Sequence, residues 1–169
     1  MQTPSEDEAV AAIEQLGGRI DKLWDGSSRV VFDTKVTDAD LEHLKRLTIL
    51  RELWLGGTQI SDAGLEHLMG LTNLKILELD QTQVSDAGIE YLKRLNNLQV
   101  LSLCCTQVTD AGLEHLRGLT NLQTLAFGGN SEISDVGLEH LKGLTNLRRA
   151  IVKSCVPESF RRRPVGFHL

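Results

Sequence analysis

Residues 61–84 read SDAGLEHLMGLTNLKILELDQTQV, and residues 85–108 read SDAGIEYLKRLNNLQVLSLCCTQV, so one 24-residue pattern is written twice in succession. The pattern also continues in both directions. Aliphatic residues occupy the same place in every copy, 24 positions apart, except that one extra residue precedes the last: Val36, Ile60, Val84, Val108 and Ile133. A fixed period of this size predicts an array of structural repeats, each too small to bury its own apolar face.

The first half of each copy predicts a helix. Leu65, Leu68 and Leu71 form one apolar stripe at helical spacing. A hydroxyl residue precedes each helix and fits an N-cap, and the acidic residue after it suits the positive end of the helix dipole. The N-cap residues are Thr37, Ser61, Ser85, Thr109 and Ser134, and the acids are Asp38, Asp62, Asp86, Asp110 and Asp135.

The second half of each copy predicts a short strand. Side chains of a strand alternate, so Leu77 and Leu79 point to one side while Ile76 and Glu78 point to the other. Stacking then places the strands in parallel, with the helices on the opposite, convex side and the strands on a concave face. The predicted fold is therefore an α/β solenoid.

The strand segments resemble the leucine-rich repeat signature L-x-x-L-x-L-x-x-[N/C/T]-x-[L/I/V]. LRELWLGGTQI (50–60), LKILELDQTQV (74–84), LQVLSLCCTQV (98–108) and LQTLAFGGNSEI (122–133) match it, and LRRAIVKSCVP (147–157) is a degraded copy. The repeat sequence is similar to that of bacterial leucine-rich repeats and, more distantly, to the repeats of F-box and ribonuclease-inhibitor-like proteins. The resemblance implies a right-handed, horseshoe-shaped solenoid. It also implies inward side chains that bond the bend, at Thr58, Thr82, Thr106, Asn130 and Cys155.

Three regions are expected along the chain. Residues 1–33 are interpreted as an N-terminal cap, with a short helix over residues 7–16 and a hairpin around DGSS (25–28). Residues 34–157 hold about five repeats. Residues 158–169 are a C-terminal tail or cap.

Composition excludes several classes of function. The 169 residues have a formal net charge of −5, which argues against nucleic-acid binding. We find no apolar run long enough for a membrane span and no basic, apolar leader, so we expect a cytoplasmic protein that does not bind membranes. Three cysteines do not form a disulfide framework.

Catalytic and metal sites are not expected. A recurring imidazole (His43, His67, His115, His140) suggests a metal ladder, but each lies beside the buried stripe and lacks a second ligand at helical spacing. The glutamates of the helices have basic residues three positions on, which favours surface ion pairs. Cys104 is expected on the concave face as a free thiol without a nearby base. No phosphate loop or cofactor motif occurs, so we predict no enzyme activity, metal or cofactor.

The variable side of the strands remains for recognition, since variable positions on a rigid frame can bind partners. Trp54, Ile76 and Val100 are apolar there although the core does not need them, and tryptophan is enriched at binding hot spots. Acidic residues gather at one end of this face and basic residues at the other. The predicted partner-binding residues are Val31, Glu52, Trp54, Ile76, Glu78, Asp80, Val100, Ser102, Arg149 and Ile151.

The sequence thus predicts a non-enzymatic module that binds another protein through its concave strand face, with self-association also possible. Two alternatives stay open. One is an adaptor that selects substrates for ubiquitin transfer, although residues 1–33 are too short for an F-box. The other is an inhibitor of the ribonuclease-inhibitor kind, which would carry more charge and aromatic residues on the strands.

Overall fold

Seven strands form one open sheet whose order follows the chain in the computed structural model, which describes residues 6–151. The first two strands pair antiparallel, and all later neighbours pair in parallel. The strands are β1 (Arg19–Lys22), β2 (Ser28–Val31), β3 (Leu50–Trp54), β4 (Ile76–Glu78), β5 (Val100–Ser102), β6 (Thr124–Ala126) and β7 (Arg149–Ile151).

Helical segments connect the strands on one side of the sheet. The predicted helices are present but short, and most continue as 3-10 turns. The α-helices are α1 (Glu6–Gln15), α2 (Asp62–Glu66), α3 (Asp86–Ile89), α4 (Asp110–His115) and α5 (Asp135–Glu139). The 3-10 segments are Asp38–Arg46, Glu90–Arg94, Leu116–Gly118 and His140–Gly143. This alternation of parallel strands and helices confirms the predicted α/β solenoid.

One continuous aliphatic core runs between the sheet and the helices. Leu77 and Leu101, on the predicted inner side of the strands, are 0% exposed, as is Leu65 of the helical stripe. Each repeat therefore buries its leucines against the next repeat, which is the reason that a unit of this size can fold only as part of a stack.

The residues predicted as N-caps have extended backbones before each helix. The hydroxyl oxygens of Ser61, Thr109 and Ser134 accept the backbone N–H two residues on, whereas Thr37 and Ser85 make no such bond. Thr37 instead forms a capping box with Asp40, whose carboxylate accepts the Thr37 backbone N–H at 2.8 Å. The N-cap positions are confirmed at all five sites, and the bond to the N–H two residues on at three.

The first four of the five aspartates that follow an N-cap have a function that sequence analysis missed. The Asp62 carboxylate accepts the Ser85 backbone N–H at 2.7 Å and the Ser85 hydroxyl at 2.6 Å. The same pair of bonds joins Asp38 to Ser61, Asp86 to Thr109 and Asp110 to Ser134. We call this pair of hydrogen bonds the aspartate clamp. It ties the helix start of one repeat to that of the next.

The clamp between Asp110 and Ser134 is expected to make the stability of the fold depend on pH. The hydroxyl of Ser134, and then its backbone N–H, hold the pKa of Asp110 below its ordinary value of 3.8. Because the folded-state pKa is the lower one, this clamp stabilises the fold above about pH 4 and is lost as the pH falls through the folded-state pKa. We expect Asp110→Asn to lower stability near neutral pH and to flatten the acid limb of the stability profile, measured by urea unfolding at several pH values. Parallel profiles of the two proteins would contradict this assignment.

Two further ladders of hydrogen bonds support the stack. Hydroxyls of Thr58, Thr82 and Thr106 donate to the carbonyl oxygen three residues earlier, at 2.5–2.7 Å, which confirms their predicted inward bonding. Asn130 donates back to the Leu103 carbonyl oxygen at 3.1 Å. Asparagines at a second position, such as Asn97, donate to a backbone carbonyl oxygen of the preceding repeat.

The bends after β3, β4, β5 and β6 each contain a residue whose backbone is in the left-handed region. Gly57 and Gly129 have φ values of 70° and 82°, and at the equivalent places Gln81 and Cys105 have φ values of 57° and 55°. A non-glycine residue in this conformation is strained by about 1–2 kcal/mol. Gly57 and Gly129 therefore adopt this conformation without that strain, whereas Gln81 and Cys105 carry it.

We expect Gln81→Gly to raise the free energy of unfolding by about 0.5–1 kcal/mol, since relief of this strain exceeds the entropy that glycine adds to the unfolded chain. Gly57→Ala is the reciprocal control. Open space surrounds an added Cβ there, so only the backbone strain opposes it, and we expect a loss of about 1 kcal/mol. Urea unfolding measures both, and equal signs for the two variants would refute the explanation.

Helix α1 and the β1–β2 hairpin lie where the sequence predicted a short helix and a hairpin. The hairpin forms one edge of the sheet, and α1 contributes Ala9 and Ile13 to the core. The division into a cap at 1–33 and repeats at 34–157 stays a prediction. The predicted inward Cys155 and the tail at 158–169 lie outside the described residues.

Candidate functional site

Register along the sheet aligns the predicted binding residues in columns. Residues of successive parallel strands stand directly beside one another, so that each column crosses the sheet from β2 or β3 to β7. The first column holds Glu52, Ile76, Val100, Thr124 and Arg149, and the second holds Val31, Trp54, Glu78, Ser102, Ala126 and Ile151. We call the surface formed by these columns, with Arg29, Asp80 and Cys104, the strand face.

The acidic residues of the strand face are not accessible, which corrects the predicted distribution of surface charge. Glu52, Glu78 and Asp80 are only 6%, 5% and 3% exposed, and Ser102 is 3% exposed. Charged groups are rarely buried without partners, because removing a charge from water is unfavourable. Each of these carboxylates is accordingly bonded within the protein.

Glu52 forms an ion pair with Arg29, a residue that sequence analysis did not single out. Arg29 stands in the first column, beside Glu52, and its guanidinium carbon lies 5.9 Å from the centroid of the Trp54 ring. A cation over an indole face is a favourable arrangement. The signal for Arg29 was its place two residues before Val31 on the same strand, which puts both side chains on one face.

Glu78 and Asp80 connect neighbouring repeats. A Glu78 carboxylate oxygen accepts the Gly56 backbone N–H at 2.8 Å. One Asp80 oxygen accepts the Ser102 hydroxyl at 2.5 Å and the Cys104 backbone N–H at 2.8 Å. The sheet is therefore stabilised by three of the predicted binding residues, Glu78, Asp80 and Ser102. Their buried oxygens form hydrogen bonds between repeats.

The accessible part of the strand face is mainly apolar. Val31, Trp54, Ile76, Val100, Thr124 and Ile151 are half-buried, and Arg149 is exposed. Trp54 does not belong to the core cluster, in agreement with its predicted place on the strands. Its indole nitrogen is buried and has no hydrogen-bond partner among the described residues. The ring is thus a partly accessible apolar surface, with Arg29 over one face.

Among the described residues, neither Cys104, as predicted, nor Cys105 forms a disulfide. Cys104 lies on the strand-face side, with its sulfur 3.9 Å from the Ser102 hydroxyl oxygen, but it is 0% exposed. The side of the sheet was therefore predicted correctly, but the side chain is buried and does not reach the concave surface. A buried thiol of this kind is not placed to react with a large substrate.

The helix side carries paired charges. Lys93, Arg117 and Lys142 pair with the glutamates three residues earlier, as the sequence predicted. The ion pair with Lys93 lowers the pKa of Glu90. Such exposed pairs contribute only about 0–1 kcal/mol each.

The recurring histidines are also on the helix side. His67, His115 and His140 are half-buried and His43 is exposed. Between residues 6 and 151 we find no group of three or more histidine, cysteine, aspartate or glutamate side chains arranged to hold a metal ion. No helix within the same residues is both long and apolar enough to cross a bilayer.

Comparisons with known proteins agree with the repeat pattern. The family model described as Leucine Rich repeat matches residues 70–93 and 118–142. No curated protein sequence matches the chain significantly. Among solved structures, the chain is similar to an internalin (inlF) from Listeria monocytogenes, with 35% identity, a TM-score of 0.58, and coverage of 65% of this chain and 30% of that one.

Two other solved structures share the fold. Internalin C2 from the same organism is 30% identical, with a TM-score of 0.52 and coverage of 66% of this chain and 55% of that one. The plant peptide hormone receptor RGFR1, solved in complex with RGF2, is 21% identical, with a TM-score of 0.50 and coverage of 73% of this chain and 21% of that one. The alignments span less than two thirds of each of these proteins. The matched repeats, together with the stacked sheet and its leucine core, show that the chain is a leucine-rich repeat protein.

Proposed function

We propose that this chain is a non-enzymatic module that binds a partner protein through its strand face, with Trp54 as the anchor. Leucine-rich repeats are a common framework for protein–protein interaction, and the similar receptor RGFR1 was solved in complex with RGF2. The proposal depends on one observation, which is the position of Trp54. Its ring lies outside the core beside Arg29, with half-buried Val31 next to it on β2 and half-buried Ile76 in the adjacent column on β4.

The apolar surface around Trp54 favours binding because a partner would remove it from water. Val31 stands beside Trp54 in the second column, Ile76 stands beside Glu52 in the first, and neither aliphatic side chain nor Trp54 belongs to the core. Covering such a surface with a partner removes apolar area from water, at about 25 cal/mol per Å². Arg29 is already held by Glu52 beside the Trp54 ring. Preorganisation of this kind reduces the side-chain entropy that is lost on binding, which favours an anchor at this place.

Affinity capture with the whole chain tests the proposal. We expect Trp54→Ala to reduce recovery of the partner about tenfold or more, because truncation of a central aromatic residue typically removes 2 kcal/mol or more of binding free energy. The effect of Ile76→Ala should be smaller. The chain offers a matched control in Trp24, which is 88% exposed in the turn between β1 and β2 and is not part of the strand face.

Trp24→Ala should leave recovery unchanged. If Trp24→Ala and Trp54→Ala recover the same proteins in equal amounts, the strand face is not the binding surface. Circular dichroism of each variant must first show an intact fold, because loss of a folded sheet would abolish binding for an unrelated reason.

A further inference from the structure

The accessible charge of the strand face differs from its formal charge. Glu52 is bonded to Arg29, Glu78 to the Gly56 backbone, and Asp80 to Ser102 and Cys104, and all three carboxylates are nearly inaccessible. A partner therefore cannot contact these acids without breaking bonds that hold the repeats together. The charge that a partner can contact on the strand face therefore comes from its arginine side chains.

The bases of the face fall into two groups. Arg29 pairs with Glu52, and Arg51, at the border of the face, pairs with Asp25 at 3.3 Å. Arg149 begins β7 in the first column, and Arg148 precedes it at the border of the face, at the repeat position that Arg51 also holds. Both arginines are exposed, and within the described part of the chain neither forms an ion pair. Their backbone N–H groups donate to the Gln123 carbonyl oxygen, and neither guanidinium group is bonded to another described residue. Two cations are thus available at one end of the face.

Between this end and Trp54 the face is apolar. Ile76, Val100 and Thr124 fill the first column from β4 to β6, and all three are half-buried. Trp54 on β3 and Arg149 on β7 are separated by four strand spacings, or about 19 Å. An extended chain covers this distance with about six residues, at about 3.3 Å each.

We propose that the strand face binds an extended acidic segment of the partner protein, which crosses the strands with an apolar side chain at Trp54 and carboxylates at Arg148 and Arg149. Guanidinium groups bind carboxylates by paired, charge-assisted hydrogen bonds, and two adjacent arginines on one strand end favour a segment with neighbouring acids. This inference depends on the proposed function, and it specifies the partner: an apolar residue and a pair of acids about six residues apart.

Selection from a displayed library of random peptides, each about twelve residues long, tests the proposal with the intact chain, since twelve extended residues exceed the length of the face. We expect the selected peptides to be rich in aspartate and glutamate, with an apolar residue five to seven positions away, or about 19 Å. A selected peptide, synthesised alone, should bind Arg148→Glu/Arg149→Glu at least about tenfold more weakly, because two attractive charge pairs become repulsive.

A matched control makes the same change in net charge on the other side of the molecule. Lys93 and Lys142 pair with glutamates on the helix side, so Lys93→Glu/Lys142→Glu should bind the selected peptide as the unmodified chain does. If both double variants weaken binding equally, only the net charge matters and the proposal fails. Selection of basic or uncharged peptides, or of none, also overturns it.

Two results separate this inference from the proposed function. If affinity capture recovers a partner through Trp54 while the selected peptides are not acidic, the strand face binds a protein but not an acidic segment. A labelled single-stranded DNA oligomer supplies the other comparison. Binding of that oligomer, lost in Arg148→Glu/Arg149→Glu, would assign the two arginines to nucleic acid and overturn the acidic-segment proposal.

Discussion

Replacing Leu101 with alanine is expected to lower the free energy of unfolding by about 3–4 kcal/mol, the largest effect of any single truncation proposed for this chain. Leu101 lies in the middle of β5, is 0% exposed, and stands in register between Leu77 and Leu125. Truncation removes apolar contacts and leaves a cavity that neighbouring repeats on both sides cannot fill, because their own leucines are fixed by the same stacking.

Val100 is the matched control for Leu101. The two residues are adjacent on one strand, but Val100 is half-buried on the strand face and does not belong to the core. We expect Val100→Ala to change stability by less than about 1 kcal/mol. Urea unfolding followed by far-UV circular dichroism measures both variants. Equal losses for the two would mean that the strand does not separate a core side from a partner side.

The core was readable from the sequence because one period repeats it several times. A leucine that recurs every 24 residues at a strand position, such as Leu77 and Leu101, must face the same environment in each copy. Alternation along the strand then determines which side is apolar. Both residues are fully buried. The Thr58 and Thr82 hydroxyl bonds were equally predictable, since the family position implied an inward side chain.

The sequence predicted which residues lie on the strand face but not which of them are exposed. The repeat period aligned the residues in the correct columns, but it carried no information on the exposure of their side chains. Glu78 and Asp80 were expected at the surface because carboxylates are mostly exposed, whereas hydrogen bonds to Gly56, Ser102 and Cys104 hold them in the protein. Those partners lie 22 to 24 positions away. Neighbour preferences within one strand cannot reveal such bonds, and alignment of successive repeats by their period would have suggested them.

The helix side shows the same limit. The local pattern assigned each aspartate after an N-cap to the helix dipole, which is a property of its own helix. The structure adds a clamp to the next repeat, as between Asp62 and Ser85. It also explains a glycine that local reasoning left without a function. Gly88 lies in α3, where a helix former would be expected, and it lies directly against the Asp62 carboxylate.

Gly88→Ala is therefore expected to lower the free energy of unfolding by about 2–4 kcal/mol, although alanine normally stabilises a helix relative to glycine. An added Cβ would lie well inside 3.0 Å of the Asp62 carboxylate oxygen and 3.1 Å from the Asp62 Cα atom. The same oxygen accepts the Ser85 backbone N–H, so it cannot move away without breaking the clamp. The variant combines overpacking with the loss of a charge-assisted hydrogen bond.

A double-mutant cycle with Asp62→Ala tests that explanation. If the clamp is the cause, Gly88→Ala should be less destabilising in the Asp62→Ala background, because the obstructing carboxylate is gone and the bond to Ser85 is already lost. Additive losses would contradict the clamp. Gly70→Ala is the control substitution, since an added Cβ there meets nothing within 4 Å. It should be neutral or stabilise the fold by up to about 1 kcal/mol, by restricting the unfolded chain.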